Sequence, residues 1–190
     1  MMMSAVAVMA QADAPSDAGT PAGNIAVKSD AVGDVLRFVP LASVYVMKGC
    51  GLESASSWKR LAVNSATSLA ASAAVTYGMK YTIDSDRPNH ARHGLPSGHT
   101  MMAFCGATIL YKEYGHLSPW LSVAGFSIAT ATAFCRVHRD HHTWWQAGTG
   151  AVVGMLGTEL GYWIGDKLTG EHSQFAVGAS PEGLSLAVFF

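Results

Sequence analysis

From Asp34 onward the chain alternates long apolar stretches with short polar ones. Leu61–Met79 contains no Asp, Glu, Lys or Arg, and neither does Tyr114–Cys135; Thr143–Leu168 holds Glu159 as its only acid before Asp166. Five helices are expected, over about 34–47, 57–79, 99–114, 118–134 and 143–168. Arg37 and Pro40 interrupt the first. A membrane-spanning helix needs about 20 predominantly apolar residues. The second, fourth and fifth segments reach that length and are expected to span; the first and third are shorter or carry charges near their ends. Gly150, Gly154, Gly157, Gly161 and Gly165 recur at helical spacing and leave one face of the fifth segment bare. A bare face lets a neighbouring backbone approach closely, so a tight bundle is expected.

Polar residues gather where these segments meet. "KYTIDSDRPNHARHGLPSGHT" (Lys80–Thr100) joins segments two and three, and "RVHRDHH" (Arg136–His142) joins four and five. Neighbouring helices of an up-and-down bundle run antiparallel. The end of segment two, the start of three, the end of four and the start of five therefore share one rim. Lys80, Arg87 and Arg136 can converge there with no matching excess of acids. Three cations suit an oxyanion of high charge, since the arginine fork matches phosphate and lysine adds a point charge. "PSGH" (Pro96–His99) opens a helix whose N–H groups favour anions, and Gly98 keeps side-chain bulk off that backbone. Of His99 and His142, one can attack phosphorus and the other protonate the leaving oxygen.

Composition narrows the class. Charged residues make up 13% and hydrophobic ones 49% of 190 residues, which leans toward a membrane protein. The net charge of −1 and the lack of a basic face argue against a nucleic-acid partner. Cys50, Cys105 and Cys135 form no CxxC pair and read as small buried hydrophobes. Residues 1–33 read as a signal-like or disordered segment and linker, with an apolar run and Ala-x-Ala sites but no leading Lys or Arg. Residues 34–170 are expected to form one helical domain that carries the rim and its catalytic chemistry. The tail, 171–190, alternates like a strand over Gly178–Phe190.

Lys80-x6-Arg87-Pro88, Pro96-Ser97-Gly98-His99 and Arg136-x5-His142 together resemble the three-part signature of the type 2 phosphatidic acid phosphatase superfamily. "FCGATILYKEYGHLSPW" (Phe104–Trp120) is similar to the membrane lipid phosphatases of Bacteroidetes type, including those of lipid A. The resemblance implies an all-α, antiparallel, transmembrane bundle of five to six helices and a phosphoric ester hydrolase. It implies that Lys80, Arg87, Ser97, Gly98 and Arg136 bind phosphate, that His142 is the nucleophile and that His99 is the general acid. It implies no metal and no cofactor, a phosphohistidine intermediate, and a phosphomonoester or diphosphate of a membrane lipid as substrate.

Two positions depart from the family. Cys135 stands where serine is usual, and Gln146 where an aspartate usually orients the nucleophile. Gln146 is expected to accept an N–H from His142. A carboxylate there would stabilise an imidazolium more, so Gln146→Asp should speed phosphoenzyme formation, provided the shorter side chain still reaches His142. The expected placement is a bacterial inner membrane with the rim facing the periplasm. Lys48, Lys59, Arg60 and Lys112 lie at the other end, as the positive-inside rule asks. The alternatives are a soluble periplasmic acid phosphatase, a non-catalytic phosphate or lipid binder, and a metal-binding protein using the histidines of "HARH" and "HRDHH".

Overall fold

A computed structural model describes residues 31–171 and the backbone of 175–180 and 183–188. Helices α1 (Ala31–Leu36), α2 (Val39–Gly49), α3 (Trp58–Thr82), α4 (Gly98–Tyr114), α5 (Pro119–His138) and α6 (Trp144–Thr169) precede strands β1 (Phe175–Ser180) and β2 (Gly183–Val188). The expected helical bundle is present. Its first segment divides in two: Pro40 sits in the opening turn of α2, where a missing N–H leaves no helical bond unmade, so a new helix starts there. The signal-like segment lies outside the described residues except for 31–33, which begin α1. The tail holds two antiparallel strands, with Phe175 opposite Val188.

Local chemistry sets the helix boundaries. Ser57, Ser97, Ser118 and Thr143 each cap a helix N-terminus with a side-chain oxygen that accepts a backbone N–H. Gly170, at φ 69°, closes α6 in the left-handed conformation that glycine adopts without strain. Helix α4 is the centre of the bundle, packed by α2, α3, α5 and α6. Its Ala103, Cys105, Ala107 and Ile109 are fully buried. Cys50, by contrast, is exposed, because it follows the end of α2.

The glycine face of α6 does what its spacing suggests. Gly150 and Gly154 lie on the backbone of Ser97 and Met101 in α4, while Gly157, Gly161 and Gly165 lie on Ser72, Ser68 and Asn64 of α3. A Cβ at Gly161 would fall on the backbone of Ser68. The facing surface of α3 is small and polar: Asn64, Ser65, Ser68, Ser72 and Thr76 are all buried. This lowers the hydropathy of both helices. Among the described residues one helix, α5, is long and apolar enough to cross a membrane, rather than the three expected. Helices α3 and α6 have the length but spend their composition on close packing against each other.

Candidate active site

The antiparallel order of α3–α6 brings the three polar clusters to one rim. Lys80 lies in the last turn of α3, Arg136 in the last turn of α5 and His99 in the first turn of α4, and all three are buried. Arg87 is half-buried in the loop between α3 and α4. Lys80 and Gly98 line one narrow cleft together with Arg37 and Thr76. Ser97 is fully buried, and its hydroxyl accepts from Thr100 Oγ1 at 3.1 Å while capping α4. Ser97 N donates to Gln146 O at 3.0 Å, which ties the start of α4 to the start of α6.

The turn after α5 delivers the second histidine. Asp140 adopts φ 59°, a left-handed conformation that aspartate tolerates. The N–H groups of His141 and His142 then both reach the carbonyl of Arg136, at 3.0 and 3.2 Å. One carbonyl thus holds His142 beside the arginine of its own cluster. Asp140 itself is exposed and serves the turn.

The His142 ring is buried at 2% exposure, and its Nδ1 faces two acceptors. Gly94 O lies at 2.9 Å and Gln146 Oε1 at 3.3 Å. Both can only accept, so Nδ1 carries the proton and Nε2 keeps its lone pair in the neutral ring. That is the tautomer a nitrogen nucleophile requires. Gln146 uses its whole amide to support it. Oε1 also accepts from Thr143 N at 3.1 Å, completing a capping box, while Nε2 donates to Ser85 Oγ at 3.1 Å and Asp86 O at 2.9 Å. Ser85 and Asp86 directly precede Arg87, so one side chain fixes both the histidine and the arginine loop.

His99 meets two residues that lie outside the three-part signature. Its Nε2 lies 2.6 Å from Asp34 Oδ1 and 2.8 Å from Arg37 Nη1. Arg37 is 7% exposed and is a second cation lining the cleft beside Lys80. Burial pushes the Asp34 carboxyl up, but the hydrogen bond with His99 and the charges of His99, Arg37 and Arg136 outweigh it, so the group ends below its ordinary value. Gly94 was also missed. Its carbonyl holds His142, and a Cβ there would strike the Gln146 amide. The signals were present but weak: a lone Asp–Arg pair in an apolar segment, a glycine before "LPSG", and the Thr-x-x-Gln spacing of a capping box.

Two further histidines have partners of their own. His93 Nδ1 lies 2.7 Å from Lys80 O, and His138 stacks on Phe134. Among the described residues no three His, Cys, Asp or Glu side chains gather as a metal-ligand set.

Three comparisons place this geometry among known proteins. Over 151 residues the chain is 39% identical to a protein described as lipid A 1-phosphatase from Porphyromonas gingivalis, which covers 78% of this chain and 33% of that one. The chain thus spans about a third of the length of the curated relative it matches. The crystal structure of LpxE from Aquifex aeolicus has the same fold at a TM-score of 0.55 and 15% identity, covering 70% of this chain and 84% of that one. The profile of the PAP2 superfamily matches residues 61–169, a span that begins in α3 and takes in every cluster at the rim. With more than half of its length matched, the chain belongs to the PAP2 superfamily.

Proposed function

We propose that the protein is a metal-independent phosphatase that removes a phosphate group from a membrane lipid through a phosphohistidine. The observation that carries this reading is the buried pair His142 and His99 beside Lys80 and Arg136 at one rim. His142 Nε2 attacks phosphorus while the ester P–O bond breaks. His99 gives a proton to the departing oxygen, which leaves as a hydroxyl. Water then attacks phosphorus, the P–N bond breaks, inorganic phosphate leaves, and His99 recovers a proton from that water. Lys80, Arg87 and Arg136 offset the phosphoryl charge, with Ser97 and the Gly98 N–H as further donors.

A membrane lipid is the substrate class favoured by the surroundings. Helix α5 is long and apolar, and most of it faces outward. Trp144, Trp145, Leu156, Leu160 and Trp163 give α6 an exposed apolar and aromatic side. Lys48, Lys59, Arg60 and Lys112 lie at the end away from the rim, which fits a bacterial inner membrane with the site on the periplasmic side. The description of the Porphyromonas gingivalis relative makes lipid A the first substrate to test. The assay is phosphate release in detergent from lipid A, phosphatidic acid, phosphatidylglycerophosphate and undecaprenyl diphosphate. Release from at least one, lost in His142→Ala, is expected; no release from any would sink the proposal.

A further inference from the structure

We propose that α1 belongs to the catalytic apparatus, with Asp34 as the positioning residue that holds the proton-donating histidine, His99. The inference rests on the reading of His99 as the acid. Its Nε2 lies 2.6 Å from Asp34 Oδ1 and 2.8 Å from Arg37 Nη1. One ring nitrogen cannot donate and accept at once, so the two partners compete. A bond from a protonated nitrogen to a carboxylate is charge-assisted, and the shorter distance lies on that side. Asp34 therefore holds Nε2–H. Buried Arg37 cannot donate to a nitrogen that already carries a proton; beside it, the guanidinium keeps the Asp34 carboxylate ionised and against the ring. The charge-assisted bond favours the protonated ring, which gives its proton to the leaving oxygen as the P–O bond breaks and recovers one from water as the P–N bond breaks. Asp34 and Arg37 are three residues apart, a spacing that puts both on one side of a helical turn, and they lie 65 and 62 residues before His99.

The test uses leaving groups. p-Nitrophenyl phosphate releases an oxygen that needs no proton, whereas an alkyl phosphate such as dodecyl phosphate does need one. Both are assayed in detergent with the full chain, Asp34→Asn and His99→Ala. His99→Ala sets the scale and should lower turnover on the alkyl ester far more than on the aryl ester. Asp34→Asn should move the same ratio in the same direction, by about 10–100-fold, as expected on losing an orienting partner. Partial unfolding lowers both rates alike and cannot move the ratio. If His99→Ala discriminates and Asp34→Asn does not, the role of His99 stands and that of Asp34 falls. If His99→Ala does not discriminate, the reading of His99 as the acid fails, and the inference with it.

Discussion

Replacing Gln146 with Asp restores the residue usual in the family, and a carboxylate should favour a developing imidazolium. That gain depends on the shorter side chain still reaching His142, and the geometry argues against it. Gln146 donates two hydrogen bonds, to Ser85 Oγ and Asp86 O, and accepts two, from Thr143 N and His142 Nδ1. Aspartate has no donor and is shorter by one carbon–carbon bond, about 1.5 Å. Losing the two donated bonds costs about 1 kcal/mol each, and losing the cap bond about 1 kcal/mol more. A charge-assisted bond to His142 would return about 1.5–3 kcal/mol if it formed. It would have to form across a gap that is already 3.3 Å with the longer side chain. The loss wins. Gln146→Asp should therefore lower stability by about 2–3 kcal/mol in equilibrium unfolding in detergent. It should also slow phosphoenzyme formation by about 10–100-fold in rapid-quench single-turnover kinetics. Gln146→Ala should show a similar rate loss, since Gly94 O remains to hold Nδ1 in both variants. Phosphoenzyme formation faster than wild type in Gln146→Asp would refute this reasoning and show that the added charge outweighs the lost bonds.

Further predictions follow from the same geometry. His142→Ala should abolish turnover while the helical circular dichroism spectrum stays unchanged, and a quenched wild-type reaction should yield an acid-labile phosphohistidine; near-normal activity in the variant would refute its role. Gly161→Ala should destabilise by about 1–3 kcal/mol because its Cβ meets the Ser68 backbone. Gly148→Ala, with open space around it in the same helix, should stabilise by about 0.5–1 kcal/mol. Equal unfolding midpoints for the two would contradict the packing described. Orthovanadate, a mimic of five-coordinate phosphorus, should inhibit tightly while chelators leave activity intact. Activity lost in EDTA and restored by zinc would point to a metal mechanism. The protein should sediment with membranes and need detergent for extraction; recovery of active protein in osmotic-shock fluid would favour the soluble form.

What the sequence by itself determined was the set of helices and the rim they share. The apolar stretches, the Ser and Thr caps and the glycine spacing of α6 are local patterns, and local patterns report helix limits and the face a helix buries. Antiparallel order then suffices to bring Lys80, Arg87, Ser97, Gly98, His99, Arg136, His142 and Gln146 to one end. Membrane crossing is less legible in the sequence: α5 keeps the hydropathy of a span, whereas α3 and α6 carry Ser, Thr and Gly where their backbones meet. The tertiary structure alone decided which atoms the site residues touch. Gly94 O on His142, Ser85 and Asp86 on Gln146, and Asp34 with Arg37 on His99 all join segments far apart in the chain. A hydrogen bond holds within a few tenths of an ångström. Spacing along a helix places a side chain on a face, and only the packing of the assembled helices closes the remaining distance.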